Sequence, residues 1–307
     1  MKCTEEFAMI TQSTNEYNAF GPWVLEINDE HTMPPLFTGY YKEQAQPLML
    51  IKIPRKIDRR DAVPGMHLYD YVIGAFDAYL YIMKRVRDGV DEKRVSYESV
   101  AAVKNTISLL KGQLSLYLHD EIVTIDYNTV SEPIMMKLIN IIRERYQTQV
   151  RGLGIETISH DLDTVEHLYS VLIDHYKALD NKIRLVAYQK PSRYRPKYKT
   201  FKEKVKALLN IKKVITSTAF LTNDQELIVL QRDKRARGSR QGDLTYSTLF
   251  LPFASIQKVS MTKGADDKKL NTMSINVESE ALTFLCGDNS LQIDELFSAL
   301  KTQTDAF

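Results

Sequence analysis

LSLYLHDEIVTIDYNTVSEPIMMKLINI, residues Leu114 to Ile141, decides how the chain is read, because a second stretch repeats its plan. Met273 to Leu300 reads MSINVESEALTFLCGDNSLQIDELFSAL and aligns with it at a constant offset of 159, without a gap. Ser115 falls on Ser274, Glu121 on Glu280, Thr124 on Thr283, Ser131 on Ser290 and Ile134 on Ile293. The shared pattern is an alternating strand, a short polar turn, a second strand and a helix.

Side-chain periodicity carries this reading. Leu114, Leu116 and Leu118 alternate with polar partners, as a half-buried strand requires. His119, Asp120 and Glu121 form the polar turn, and Ile122 to Tyr127 is rich in the β-branched residues of a second strand. Ile134, Leu138, Ile141 and Ile142 share one helical face. In the second stretch Met273, Ile275 and Val277 alternate. Leu282, Phe284 and Cys286 follow, and Ile293, Leu296, Phe297 and Leu300 form the helix stripe. Ser131 and Ser290 stand where N-caps are expected, and Pro133 suits a first helical turn. Met135 and Met136 are expected to pack rather than to face a cofactor.

The similarity extends upstream with gaps at expected loops. Val95 to Asn105 (VSYESVAAVKN) aligns with Leu251 to Met261 (LPFASIQKVSM), which gives the second copy a longer loop at Thr262 to Lys269. Leu80 to Arg85 (LYIMKR) aligns with Leu227 to Arg232 (LIVLQR). The stretch FLTNDQELIVLQRDKR, then LFLPFASIQKVSM, then a hairpin and helix, resembles bacterial pleckstrin-homology-like (GRAM-like) domains. Leu251, Pro252, Phe253, Ile256 and Val259 match the middle element of that family. In the first copy Ser96 replaces the proline, while Tyr97, Val100 and Val103 remain. The resemblance implies an α+β fold: two pleckstrin-homology-like antiparallel β-barrels or sandwiches, each closed by a C-terminal helix. The expected layout is an N-terminal arm over 1–46, a first domain over 47–147, a linker helix over 150–188, a basic extended linker over 189–200 and a second domain over 201–303.

The 307 residues suit two domains. A hydrophobic content of 44% and a charged content of 26% are those of an ordinary globular chain. MKCTEEFAMI lacks the apolar run of a signal peptide, and no stretch approaches the ~20 apolar residues of a spanning helix. Cys3 and Cys286 are the only cysteines, which fits a reducing compartment without a disulfide framework. The expected location is cytoplasmic, with peripheral attachment at the inner membrane surface as an extension of that. Cys286 reads as a small core residue.

Gly21, Pro22, Pro34, Pro35 and Gly39 punctuate the N-terminal segment, which reads as an arm anchored by Trp23, the only tryptophan. LMLIKIPRKIDRR (Leu48 to Arg60) starts as an edge strand that ends at Pro54. Its Lys52, Arg55, Lys56, Arg59 and Arg60 suit phosphates or acidic lipid. They equally suit a solvated loop balanced by Asp58 and Asp61. Ile155 to Leu179 carries a helical stripe of Ile155, Ile158, Leu162, Val165, Leu168, Tyr169, Leu172, Tyr176 and Leu179. His160, Asp163 and His167 share a face at metal-ligand spacing, although the two histidines stand ~10 Å apart along the axis and read better as surface groups.

Lys182 to Lys213 holds 12 basic residues against one acid, Glu203, so the rest of a chain of net charge +2 stands near −9. Within this segment Lys190, Arg193, Arg195, Lys197 and Lys199 interleave with Tyr194 and Tyr198 around Pro191 and Pro196, which reads as an extended linker. Thr200 and Glu203 form a capping-box pattern. A polyvalent basic segment suits an anionic membrane or nucleic acid, or it docks on the acidic remainder of the chain. Arg232, Lys234, Arg235 and Arg237 form a further cluster after LIVLQ. Lipid-binding pleckstrin-homology domains gather bases around the first hairpin, but here that hairpin, TNDQE (Thr222 to Glu226), is acidic.

The chain holds no G-x-x-x-x-G-K-[ST], H-E-x-x-H, G-x-S-x-G or paired C-x-x-C. Ser159, His160 and Asp161 are sequence neighbours whose side chains diverge, so they form no triad. The expectation is a binding or scaffold protein without catalytic residues, cofactor or metal. It would dock on a protein partner or an anionic lipid surface, with oligomerisation open. The alternatives are nucleic-acid binding through the basic linker and an enzyme with a site assembled only in three dimensions.

Overall fold

The structure is a computed structural model, and it describes residues 16–18, 20–87, 89–146, 165–194, 213–223, 225–232, 245–263, 270–278, 280–287 and 291–305. These residues form an α+β protein with antiparallel sheets and a few helices. The chain divides into two compact units. One comprises 1–100, 109–114 and 124–146, and the other 101–108, 115–123 and 147–307. None of the described helices is long and apolar enough to cross a membrane.

The first unit is built on an antiparallel sheet of five strands in sequential order. They are β1 (Leu25–Glu26), β2 (Met49–Pro54), β3 (Tyr69–Ala75), β4 (Tyr79–Val86) and β5 (Gly89–Ser96). Aromatic and β-branched residues fill β3 and β4, as strands covered by other chain segments favour. Phe20 and Phe37 of the N-terminal arm, with Ala62 and Leu68, bury one cluster with Tyr69, Val72, Phe76, Tyr81 and Met83. The expected arm therefore lies on this sheet, and the four-residue helix α1 (Pro35–Thr38) is part of it. The strand expected at an edge, β2, has partners on both sides, because β1 pairs with its Ile51 and Lys52.

A 3-10 turn at Tyr97–Ser99 leads into β6 (Val100–Ser108), β7 (Lys111–Leu118) and β8 (Ile122–Asn128). Leu114, Leu116 and Leu118 are buried, as their alternation requires. The amide of Leu118 donates to the carbonyl of Glu121 (2.9 Å) across the expected polar turn. Helix α2 (Glu132–Arg145) buries Met135, Leu138, Ile139 and Ile142. The expected stripe through Ile134 and Ile141 is thus turned by one position, and Met135 takes the central place. Ser131 does not cap α2 with its side chain. Its Oγ instead accepts from the amide of Val24 in the arm (2.8 Å).

In the second unit, helix α3 (His167–Leu179) precedes β9 (Arg184–Gln189). It buries Tyr169, Ile173 and Tyr176, whereas Leu179, expected on the buried face, is exposed. The Tyr169 hydroxyl donates to the carbonyl of Ser217 (2.6 Å) and the Tyr176 hydroxyl to Thr248 Oγ1 (3.3 Å), which fixes α3 on the strands below. Residues 155–164 of the expected helix, with His160 and Asp163, lie outside the described residues. So does the second half of the expected extended linker, 195–200; in its described half β10 (Ser192–Tyr194) pairs with β11 (Lys213–Ile215).

Strands β12 (Thr218–Thr222), β13 (Glu226–Arg232) and β14 (Tyr246–Pro252) stand beside β9 in the order β14-β13-β12-β9. The outer edge of β14 pairs with β6, with Phe250 opposite Val103 and Tyr246 opposite Ile107. After a 3-10 turn at Phe253–Ser255 come β15 (Ile256–Lys263), β16 (Leu270–Val277) and β17 (Glu280–Gly287), which form their own sheet, then helix α4 (Leu291–Asp305). Phe220, Val229, Leu251, Met273, Phe284, Cys286, Ile293, Leu296 and Leu300 fill the core between them.

The expected closed barrel is corrected: the sheets are open. The hydrogen-bond ladder stops at each 3-10 turn, where the chain leaves one sheet and starts another. A 3-10 turn followed by three strands and a helix occurs twice, over 97–145 and 253–305, and each turn makes a similar backbone hydrogen bond. Tyr97 N donates to the carbonyl of Ala78 (3.4 Å), and Phe253 N donates to that of Gln225 (3.0 Å).

Candidate functional site

The basic residues singled out in the sequence have different fates. Lys52 is 4% exposed. Its Nζ donates to the carbonyl of Thr32 (2.8 Å) and stands 4.7 Å from the centre of the Tyr69 ring. Burial pulls its ammonium below the ordinary lysine range, against the opposing charge of Glu16. Burial also pushes the Glu16 carboxyl up to about 7, opposed by Lys52. Arg55 donates to the carbonyl of His67 (3.0 Å), and its Nε lies 3.9 Å from Asp70. Arg59 stacks 4.3 Å over the Tyr17 ring, and Arg60 pairs with Asp58 (2.9 Å). Arg232 faces Glu166 (3.5 Å), whose carboxylate also accepts from Ser217 (3.2 Å). Lys52, Arg55 and Arg232 are thus engaged within the protein, whereas Lys56, Arg59, Arg60 and Lys190 stand exposed. Arg193 lies on β10. Arg195, Lys197, Lys199, Lys234, Arg235 and Arg237 lie outside the described residues.

A different surface stands out in the first unit. Leu109 and Leu110 form the two-residue tip between β6 and β7, and they are 67% and 65% exposed. Leu109 has φ +53°, a left-handed conformation that hairpin tips ordinarily give to Gly or Asn. Thr129 locks the tip: its amide donates to the carbonyl of Leu110 (3.2 Å) and its Oγ1 to that of Leu109 (2.6 Å). The next residue, Val130, is 57% exposed, and its amide is held by Asn128 Oδ1 (3.0 Å). Ser131 then ties this turn to Val24, beside Trp23, which is 47% exposed. The Trp23 ring lies on Gly21, where a Cβ would come within 1.9 Å of it. Leu109, Leu110 and Val130 thus make one exposed apolar corner, with Trp23 on the chain segment that Ser131 ties to it, and four hydrogen bonds from backbone and short polar side chains brace the arrangement.

The sequence reading missed this corner. One signal could have pointed to it, the alignment of the two copies. At the offset of 159, Val130 corresponds to Asn289, and the second copy's counterpart of the leucine tip is the polar loop around GADDKK (264–269).

Among the described residues no group of three or more His, Cys, Asp or Glu is set to hold a metal. His167 and His175 are exposed on α3. Cys286 is buried, and burial pushes its thiol up to about 11, so it stays protonated and unreactive. No family model matches the chain, and no curated protein matches it in sequence.

Proposed function

We propose that the chain is a non-enzymatic docking protein of two pleckstrin-homology-like modules that attaches to an acidic membrane surface. Support for the modules comes from the run of a 3-10 turn, three strands and a helix that occurs over 97–145 and again over 253–305. The observation that carries the docking reading is the apolar corner, where the chain exposes two leucines and a valine. Lys52 and Arg55 of the first basic cluster are engaged within the protein, so the acidic-surface preference rests chiefly on the segment from Lys182 to Lys213, with the exposed Lys56, Arg59 and Arg60 beside it.

The test is co-sedimentation of the full chain with phosphatidylcholine vesicles and with vesicles containing phosphatidylglycerol, at low and high salt. Recovery is expected to be greater with the anionic vesicles and to fall as salt screens the basic segment. Equal recovery with and without vesicles removes the membrane reading and leaves a protein partner for the corner.

A further inference from the structure

We infer that the β6–β7 hairpin tip, Leu109-Leu110, is a membrane-inserting wedge that enters the acyl layer with Val130 while Trp23 lies at the headgroup level. This deepens the membrane reading above and rests on it. The ligand of the corner is the hydrocarbon of the bilayer, not the phosphate headgroup.

Three observations select lipid over a protein partner. First, the surface is small: three exposed aliphatic residues and a half-exposed tryptophan, against the roughly 20–30 residues and about 800 Å² that each partner gives to a stable protein interface. Second, protein hot spots favour Trp, Tyr and Arg and are poor in Leu and Val, but the apex here is Leu, Leu and Val. Aliphatic side chains at the tip with a tryptophan at the rim match the two depths of a membrane interface. Third, the apex is a two-residue reversal, a convex feature that enters a fluid phase without a matching cavity. Lys111, exposed beside Leu110, has a stem long enough to lie along the apolar layer with its ammonium at the headgroups.

Lys111 apart, charges beside the corner are taken up by neighbouring side chains. Lys137 is paired with Glu26 (2.9 Å), and the Asp126 carboxylate accepts from Gln113 (2.9 Å). Binding through the corner is therefore expected to resist salt, unlike binding through the basic segment.

Because Trp23 is the only tryptophan, its fluorescence reports the corner directly. The experiment uses the full chain, phosphatidylcholine/phosphatidylglycerol vesicles and the same vesicles with brominated acyl chains, at low and high salt. The wild-type chain is expected to keep a salt-resistant bound fraction and to lose roughly half its Trp23 emission to bromine. The L109S/L110S double variant should lose that fraction and the quenching, with apparent affinity down about tenfold or more. V130S should show a smaller loss in the same direction. The Ser substitutions leave the backbone carbonyls that Thr129 binds, and an unchanged urea midpoint would verify the fold. Wild-type binding abolished by high salt, with Trp23 unquenched and L109S/L110S equal to wild type, overturns the wedge but leaves surface docking intact. No binding to either vesicle overturns both.

Discussion

The leucine tip makes a prediction about stability that is independent of any ligand. Leu109 holds a left-handed backbone conformation at φ +53°, which costs an L-residue with a Cβ about 1 kcal/mol. Leu110 is not in that region, yet it is exposed to almost the same degree, 65% against 67%. Replacing either leucine by Asn removes the same buried third of a side chain, roughly 0.7 kcal/mol of lost burial. Asn tolerates the left-handed region much better than Leu, so only L109N also relieves the backbone. L110N should therefore lose ~0.7 kcal/mol, and L109N should lie within about 0.5 kcal/mol of wild type. The difference of ~1 kcal/mol isolates the conformational term.

Urea titration followed by Trp23 fluorescence measures this in the unit that contains the tip. With equal slopes, the L109N midpoint is expected to lie about 0.5 M above that of L110N. The contacts that brace the tip, from Thr129 to the two leucine carbonyls, are untouched by either change. If L109N is as destabilised as L110N or more so, then Leu109 is a packed structural residue, and the corner has no claim to be an exposed functional surface. If the ordering holds while both variants bind vesicles less well, stability and binding separate at a single residue.

The other predictions concern the buried charges. K52M should leave vesicle binding unchanged but lower the urea midpoint by the equivalent of about 1–3 kcal/mol, because it strips the Thr32 carbonyl of its donor and Glu16 of its opposing charge. Reduced vesicle binding by a folded K52M would return Lys52 to the anion-binding set. Glu16 gives a pH dependence: with its carboxyl raised to about 7 by burial, its contribution is fully present below the unfolded value of 4.5 and is lost as pH rises through 7. E16Q should flatten the fall in stability between those values, and an unchanged slope would show that Glu16 is not the titrating group. In a C3S background, Cys286 should not react with a thiol reagent in the folded chain at neutral pH and should react once in urea; rapid labelling of the folded protein would contradict its place in the core.

Alternation and helical spacing located most elements of both copies because those signals are local. Leu114, Leu116 and Leu118 point inward wherever the strand is placed, and Ile293, Leu296 and Leu300 share a face in any helix. What was not legible depended on distant segments. Lys52 reads as a surface cation until the arm brings the Thr32 carbonyl across β2, and Ser131 reads as a helix cap until Val24 arrives to use its hydroxyl. The tip failed for another reason. Ile107, Leu109 and Leu110 look like the continuation of a buried strand, because periodicity assigns apolar residues to interiors, and no Gly, Asn or Pro marks the reversal. A reversal built from leucines satisfies neither rule, and the strain at Leu109 is what remains of that conflict in the structure. Leu114 and Met273, aligned at the offset of 159, are both buried, whereas Val130 is exposed and aligns in sequence with the polar Asn289.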